Sequence, residues 1–553
     1  MVVISHEAIP SLSWPPMTMG FEVRDKALQR KLLIDKKVQF KIANDESGVY
    51  VITGVKCVSG CRHDGSAAWI TATEDMINAK QPNPQAGSQT VSARRRSGCI
   101  HAAVLPDRLR RRRVFHLARG QFDPSAARAL LLGTGHPATA VWAYSGTVPG
   151  PVLRLPQGEP FRAVVENRLS EPTTEHWHGV RLRNAMEGVP DLTQAAMPPG
   201  ASFTYDFTLP DAGIYWDHPR ADSMQQLGRG LAGALIIEDR EPIQVDRELL
   251  WVLSDWRLNA EGQLAAGFGN AMEAAMAGRI GSVTTVNGRV PGQIAVRAGE
   301  RIRLRLSNTA LARIMALRFE QHRVRIIALD GQPVVEPFDP ENGRLLLGPA
   351  MRADLIIDMS GELGRSYAVT DSFYGEDFTY TLVRLAYQTA PRLRDKPLDA
   401  SIRLPANPVP ESDLKDPDRH ALRLEGSMMN PRGPMMGMLG GGTSKAITRD
   451  IADRAQSAQG MKPILTVARG RTCVRTLKNN TSWWLPMYLH GFSFRVLTRN
   501  GILVRRTWQD TLLMEPNKTA DIAFGADNPS DWMLHCHVTD HQESDMMAVV
   551  RVR

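Results

Sequence analysis

At 553 residues the chain is too long for one hydrophobic core, and ordinary domain sizes divide it into roughly three or four domains. Apolar residues make up 43%, the proportion of a water-soluble globular protein, and no run of about 18 apolar residues exists to cross a membrane. Much of the net charge of +9 sits in RRRSGCIHAAVLPDRLRRRR, Arg94 to Arg113, a stretch that reads as a solvated linker, with a nucleic-acid or anionic-membrane tether as its alternative. The protein as a whole does not read as a nucleic-acid binder. Five cysteines, an odd number without regular spacing, exclude a disulfide framework. Cys57 and Cys61 stand four apart in a glycine-containing loop and read as incidental, with pairing or metal binding as the other reading.

Residues 1–57 end in VQFKIANDESGVYVITGVK, which alternates in strand fashion on both sides of a turn-like NDESG. The opening MVVISHEAIPSLSW lacks the charged and apolar regions of a secretory signal, and the residues after Arg94–Arg96 are too polar for a twin-arginine one. Residues 58–115 carry Gly, Ser, Pro and Arg without periodicity and are expected to form a mostly disordered basic linker. From residue 116 onward short β-rich runs recur: RAVVENRL, SFTYDFTL, GALIIED, RIRLRLSN, RVRIIALDG, ADLIIDM and TLVRLAY. Pro, Gly and Asp turns separate them, the pattern of consecutive β-sandwiches. Composition places breaks near 240 and 395, giving units 116–240, 241–395 and 396–553. GSMMNPRGPMMGMLGGG, residues 426–442, has neither helical nor strand period and is expected to be a loop.

Seven of the 14 histidines fall into four short motifs: HWHG (His176, His178), YWDHPR (His218), MYLHGF (His490) and HCHVTDH (His535, His537, His541). On a strand, residues two apart share a face, so His535 and His537 point one way and Cys536 the other. A thiolate on one side and two imidazoles on the other join two metal sites through one residue. His541 and Met546 follow closely enough to turn back toward the sulfur. Cysteine, histidine and a weak methionine thioether make up most of a blue-copper electron-transfer site.

With these motifs in this order, the chain from about 116 to 553 resembles a three-domain multicopper oxidase of the copper-resistance type. NAMEGVPDLTQ, QQLGRGLAGALIIED and FRVL flank the motifs as they do in that family. The resemblance implies an all-β chain with three plastocyanin-like (cupredoxin) Greek-key β-sandwiches. It implies a type 1 copper that takes electrons from substrate and passes them through the cysteine to a trinuclear cluster reducing O2. His176 matches a type 2 ligand, and His178, His218, His490, His535 and His537 match type 3 ligands. Cys536, His541 and Met546 match type 1 ligands. Glu187 stands where the family has an aspartate and is either a proton relay or an ordinary loop acid.

Three positions depart from the pattern. Arg220 replaces the second histidine of H-x-H, and Leu485 and Tyr488 replace two histidines of H-P-x-H-x-H. Leucine donates no electron pair, arginine stays protonated, and a tyrosine ligates only as phenolate, against its reference pKa of ~10. Asp217, in place of an aromatic residue, and Asp545, in place of glycine, fit the same drift. Either the chain is a mutated oxidase that still folds, or it is repurposed to hold Cu(I). Full four-electron turnover is not expected.

The first block also carries HEAIPSLSWPPMTMGF. One imidazole, two soft thioethers and an indole face suit Cu(I) or Ag(I). His6, Trp14, Met17 and Met19 match the metal-contacting positions of the small periplasmic copper/silver-efflux metallochaperones, which implies an OB-like barrel over residues 1–57. Met428, Met429, Met435, Met436 and Met438 offer further Cu(I) ligands, or are bystanders in a loop. The resulting expectation is a periplasmic copper-tolerance protein that oxidises Cu(I) or small organic reductants with O2, binding up to four coppers in the oxidase or fewer here. Its partners would be copper ions, O2, small reductants and copper-efflux components. A non-catalytic copper binder or store is the alternative. A phenol-oxidising laccase would require an open pocket over the type 1 site.

Overall fold

The alternation around NDESG folds as an antiparallel pair, Val38–Asn44 against Tyr50–Cys57, in the first of two units of the computed structural model, Met1–Arg110. The structure describes residues 2–6, 17–21, 38–44, 50–57, 70–71, 114–121, 138–425, 450–451 and 462–553. Trp14, the Arg94–Arg113 run and the Met/Gly stretch at 426–442 lie outside the described residues. In the first unit Val2–His6 pairs with Met17–Phe21, and the register sets His6 opposite Met17 and Ile4 opposite Met19. Ile70–Thr71, inside the expected linker, adds a short strand to the edge of Val38–Asn44.

The second unit, Arg111–Arg553, is built almost wholly of strands in three pairs of sheets. Every β-rich run singled out in its sequence is a strand, from Pro160–Asn167 to Tyr380–Tyr387. Each pair of sheets encloses an apolar core. Phe161, Trp177, Tyr205 and Leu235 fill the first, Leu304, Leu317, Leu355 and Val369 the second, and Leu477, Phe494, Ile522 and Trp532 the third.

One strand breaks the simple inside–outside rule. RIRLRLSN predicts leucines inward and arginines in water, but all eight residues of Arg301–Asn308 are buried. Its outer face lies against other strands and is neutralised by acids. Arg303 donates to Asp354 (2.5 and 3.0 Å) and to Asp239 (2.6 Å), and Arg305 donates to Asp354 (2.9 Å). Buried arginines persist only where carboxylates meet them.

A second buried ion cluster supports the metal-ligand motifs from behind. Arg352 donates two hydrogen bonds to Asp510, 2.8 and 2.5 Å, while Asp330 accepts from the amides of Arg352, Asp510 and Thr511. All three side chains are at most 1% exposed. Gly179, at φ +84°, lies against this cluster, and a Cβ there would strike the Arg352 guanidinium. Arg352→Met should leave two buried carboxylates without their cation. The expected cost is about 3–5 kcal/mol, measured as a lower midpoint of urea unfolding; an unchanged midpoint would refute this role.

Candidate metal centre

The strand His176–His178 runs antiparallel to Gly213–His218, with His176 opposite His218 and His178 opposite Trp216. Strand alternation turns Trp177 away into the first core, where it meets Phe161 edge-on at 4.7 Å, and leaves both histidines on the other face. From the third pair of sheets, Leu485–Leu489 pairs with Ser530–Cys536, setting Tyr488 opposite His535 and Met487 opposite Cys536. The His537 amide donates to the Pro486 carbonyl at 2.7 Å, which extends the pairing past the cysteine. The HWH and HCH motifs thereby face one another. His178 and His537 lie 4.9 Å apart between ring centroids, His176 and His490 4.5 Å, and His490 and His535 5.1 Å. All six imidazoles are buried, none more than 1% exposed.

Hydrogen bonds fix the orientation of several rings. The His176 Nδ1–H donates to the Glu187 carbonyl (2.9 Å), and the His218 Nδ1–H to the Pro219 carbonyl (3.0 Å). The Nε2 atoms of both are buried without a hydrogen-bond partner, as are both ring nitrogens of His178 and of His537, although His178 Nε2 lies 3.8 Å from Asp510 Oδ1. The His535 Nδ1–H donates to the Cys536 carbonyl (2.7 Å), His490 and His535 meet Nε2 to Nε2 at 3.0 Å, and His490 Nδ1 meets Glu187 Oε1 at 2.5 Å. Burial pushes the Glu187 carboxyl well up and the His490 imidazole well down. Both shifts favour the neutral forms, in which the Glu187 O–H donates to His490 and the His490 Nε2–H donates to His535. Gly188, at φ +78°, makes this reach possible, because any Cβ there would run into the Glu175 carbonyl.

The three departures from the motif pattern are packed, not loose. Tyr488 stacks on His178 with centroids 3.8 Å apart, and its hydroxyl accepts the Gly179 amide at 3.0 Å. Burial, followed by Glu187 and Asp510, drives its phenol well above the ordinary value, so it is a phenol and not a phenolate. Arg220 donates to Gln542 (2.7 Å) and to the Met533 sulfur (2.9 Å) and is only 6% exposed. Burial pulls its guanidinium down to about 10, which still leaves it charged at neutral pH. Leu485 shares an apolar cluster with Cys536 and Met546, all three buried.

On the cysteine face, His541 Nδ1 lies 3.5 Å from Cys536 Sγ. The Nε2–H of the same ring donates to the Met276 carbonyl at 2.8 Å, and His541 is 0% exposed. Met276 ends the short helix Ala271–Ala275, and the Arg279 amide donates to Asp540 at 2.8 Å beside it. The structure thus gathers His176, His178, His218, Glu187, His490, His535 and His537 on one side of Cys536, and His541 and Met546 on the other. Sequence reasoning missed Asp330, Arg352, Asp510, Gln542 and Met276. Asp510, an acid inside the apolar run TWQDTLLM, was the one with a visible signal; a backbone carbonyl such as that of Met276 leaves none.

Comparison with known proteins decides the family. Multicopper oxidase family models match residues 129–242, 247–390 and 429–553. The crystal structure of a multi-copper oxidase from Pseudomonas thermotolerans superposes with a TM-score of 0.68 at 34% identity, covering 80% of this chain and 99% of that one. The chain belongs to the multicopper oxidase family. Its three pairs of sheets have the cupredoxin fold of that family. Multicopper oxidase MmcO of Mycobacterium tuberculosis is 26% identical over 455 residues, 76% of this chain and 84% of that protein. Copper resistance protein A of Escherichia coli is 29% identical over 287 residues, 44% of this chain and 46% of that protein. Residues 1–56 match the family model of the copper binding periplasmic protein CusF. Copper is the cofactor of the family, and the buried, unpartnered Nε2 atoms beside Cys536 are the donors such an ion requires.

Burial, with Asp510 next to it, lifts the Asp330 carboxyl from 3.8 to about 7. A group with a raised folded pKa holds a proton that the unfolded chain releases, so its contribution to stability falls as pH rises between those two values. Asp330→Asn should flatten the pH dependence of unfolding across that window. An unchanged slope in urea melts at several pH values would refute the assignment.

Proposed function

We propose that the protein is a periplasmic copper-tolerance oxidase that takes electrons from Cu(I) or small reductants and delivers them to O2, with turnover reduced by Arg220, Leu485 and Tyr488. Bound copper supplies the one-electron redox chemistry. The observation that carries this reading is Cys536, with His541 3.5 Å away on one face and, on the other, the buried Nε2 atoms of His176, His178, His218 and His537 without a hydrogen-bond partner. Cys536, His541 and Met546 would hold the copper that accepts electrons from the reductant. The cysteine backbone leads to His535 and His537 on the O2-facing side, together with His176, His178, His218 and His490. Glu187, through its hydrogen bond to His490, holds a proton for the reduction of O2.

The covered imidazole edge favours small reductants over phenols. His541 offers no exposed atom to a bulky ring, because the Met276 carbonyl occupies its Nε2–H. The N-terminal unit, with His6 in register with Met17, would bind Cu(I) or Ag(I) through His6, Trp14, Met17 and Met19 and hand it to the oxidase or to copper-efflux components. Residues 116–240, 241–395 and 396–553 serve as the three oxidase domains, with the methionines of 426–442 as a further source of Cu(I) ligands.

A second reading, a copper binder without turnover, is favoured by Leu485, which puts a hydrocarbon among the sulfur ligands. The two readings separate in one measurement. Copper-loaded protein that is blue and consumes O2 with an added reductant excludes the binder; colourless, inert protein that retains Cu(I) excludes the oxidase. The combined reversion Arg220→His, Leu485→His and Tyr488→His should raise O2 consumption by at least about tenfold, equivalent to ~1.4 kcal/mol of barrier. A fully loaded revertant no faster than the parent would show that these positions are not what limits turnover.

A further inference from the structure

We propose that the histidine cavity of this chain is a single-copper centre, with His176, His178 and His218 as its ligands, in place of the family's three-copper cluster. This inference rests on the oxidase reading only for the identity of the metal. Three observations converge on it.

The ligand atoms of His176, His178 and His218 lie within 4.8 Å of one another, and all three residues are buried. They come from two paired strands in fixed register, so their separation is set by backbone hydrogen bonds. His176 and His218 already spend Nδ1 on carbonyl oxygens, which leaves each Nε2 lone pair aimed into the cavity without a protein partner. A second hydrogen bond of this kind is what orients a metal-binding imidazole.

His490 also forms a close group with His176 and Glu187, but it and His535 are differently placed. They meet each other through Nε2 at 3.0 Å, and their Nδ1 atoms are held by Glu187 and by the Cys536 carbonyl. A protein-only chain satisfies all four nitrogens, so metal binding there has to break a bond that already exists.

Two of the remaining positions oppose further ions, and His537, buried with both ring nitrogens unpartnered, stands as a further donor beside the three ligands. Arg220, bonded to Gln542 and the Met533 sulfur, puts a permanent cation beside His490 and His535 where the family has a neutral donor. Tyr488 lies flat on His178 with its hydroxyl taken by Gly179, filling space with a group that does not ligate. Neither side chain is free to turn away, since both are buried.

The test counts copper on the full chain, stripped and reloaded with Cu(I) under anaerobic conditions. Copper per chain is measured by elemental mass spectrometry, and histidine coordination by X-ray absorption. Other copper-binding segments cancel in the difference between variants. His218→Gln should lose one copper per chain and the imidazole scattering that goes with it, whereas His490→Gln and His535→Gln should lose none. Arg220→His should gain one. The proposal is overturned if His490→Gln or His535→Gln loses copper, if His218→Gln loses none or more than one, or if Arg220→His gains none. Should His218→Gln fail to fold, as judged by its thermal melt, His176→Gln carries the same expectation. O2 uptake separates this proposal from the reading it rests on. An inert parent with the expected copper counts sinks only the oxidase reading, and an active parent with the wrong counts sinks only the single-copper centre.

Discussion

Six imidazoles buried together in one cavity are the constraint on which the rest of this structure depends. Histidine in water takes a proton near neutral pH, and six protonated rings with neighbours about 5 Å apart would force the strands apart. Burial holds them neutral, and burial here needs two sandwiches pressed together, one carrying HWH and the other HCH. The ion cluster of Asp330, Arg352 and Asp510 lies against Gly179, whose amide donates to Tyr488, and Asp510 reaches within 3.8 Å of His178. The positive charge of Arg352 adds to burial in disfavouring protonation of His178 and His537.

Much of the fold was legible because strands have a period of two. The run RAVVENRL declared its strand by alternation, and HCH declared that its cysteine and histidines face opposite ways; the structure has both. RIRLRLSN was legible as a strand but not as a fully buried one. Its burial depends on Asp239 and Asp354, which stand far from it in sequence and meet it only in the folded chain. The candidate site followed the same division. Residue types that ligate metals were visible at once, while the groups that orient them were not. Met276 acts through a carbonyl oxygen that every residue possesses, and Gln542 is an ordinary amide until Arg220 is found beside it.

The three positions that depart from the motif pattern show how a fold accommodates a change of side chain. Leucine at 485 joins the apolar core that already holds Cys536 and Met546, so it costs the fold nothing in buried polarity. Tyrosine at 488 keeps a ring where an imidazole ring belongs and finds a donor in Gly179. Arginine at 220 is the hardest to place, and two uncharged partners, an amide oxygen and a thioether, receive its guanidinium. Even Asp545, at φ +71°, is among the few residues other than glycine that accept a left-handed backbone. The fold accepts these residues because it asks mainly for volume and for partners for most of the buried polar atoms, Arg220 Nε being left without one.

The arginines of Arg301–Asn308 carry a consequence for how this chain can be divided. Asp239, which neutralises Arg303, comes just after the last strand of the first pair of sheets, Gly233–Glu238, whereas Asp354 belongs to the second pair itself. A gene fragment starting after residue 240 would encode every strand of the second sandwich and still strand a buried cation without half of its counter-charge. The repeats look interchangeable when read as sheets, yet they have lost their modularity in the currency of charge. Shuffling or excising one of them means carrying its neighbour's carboxylate along.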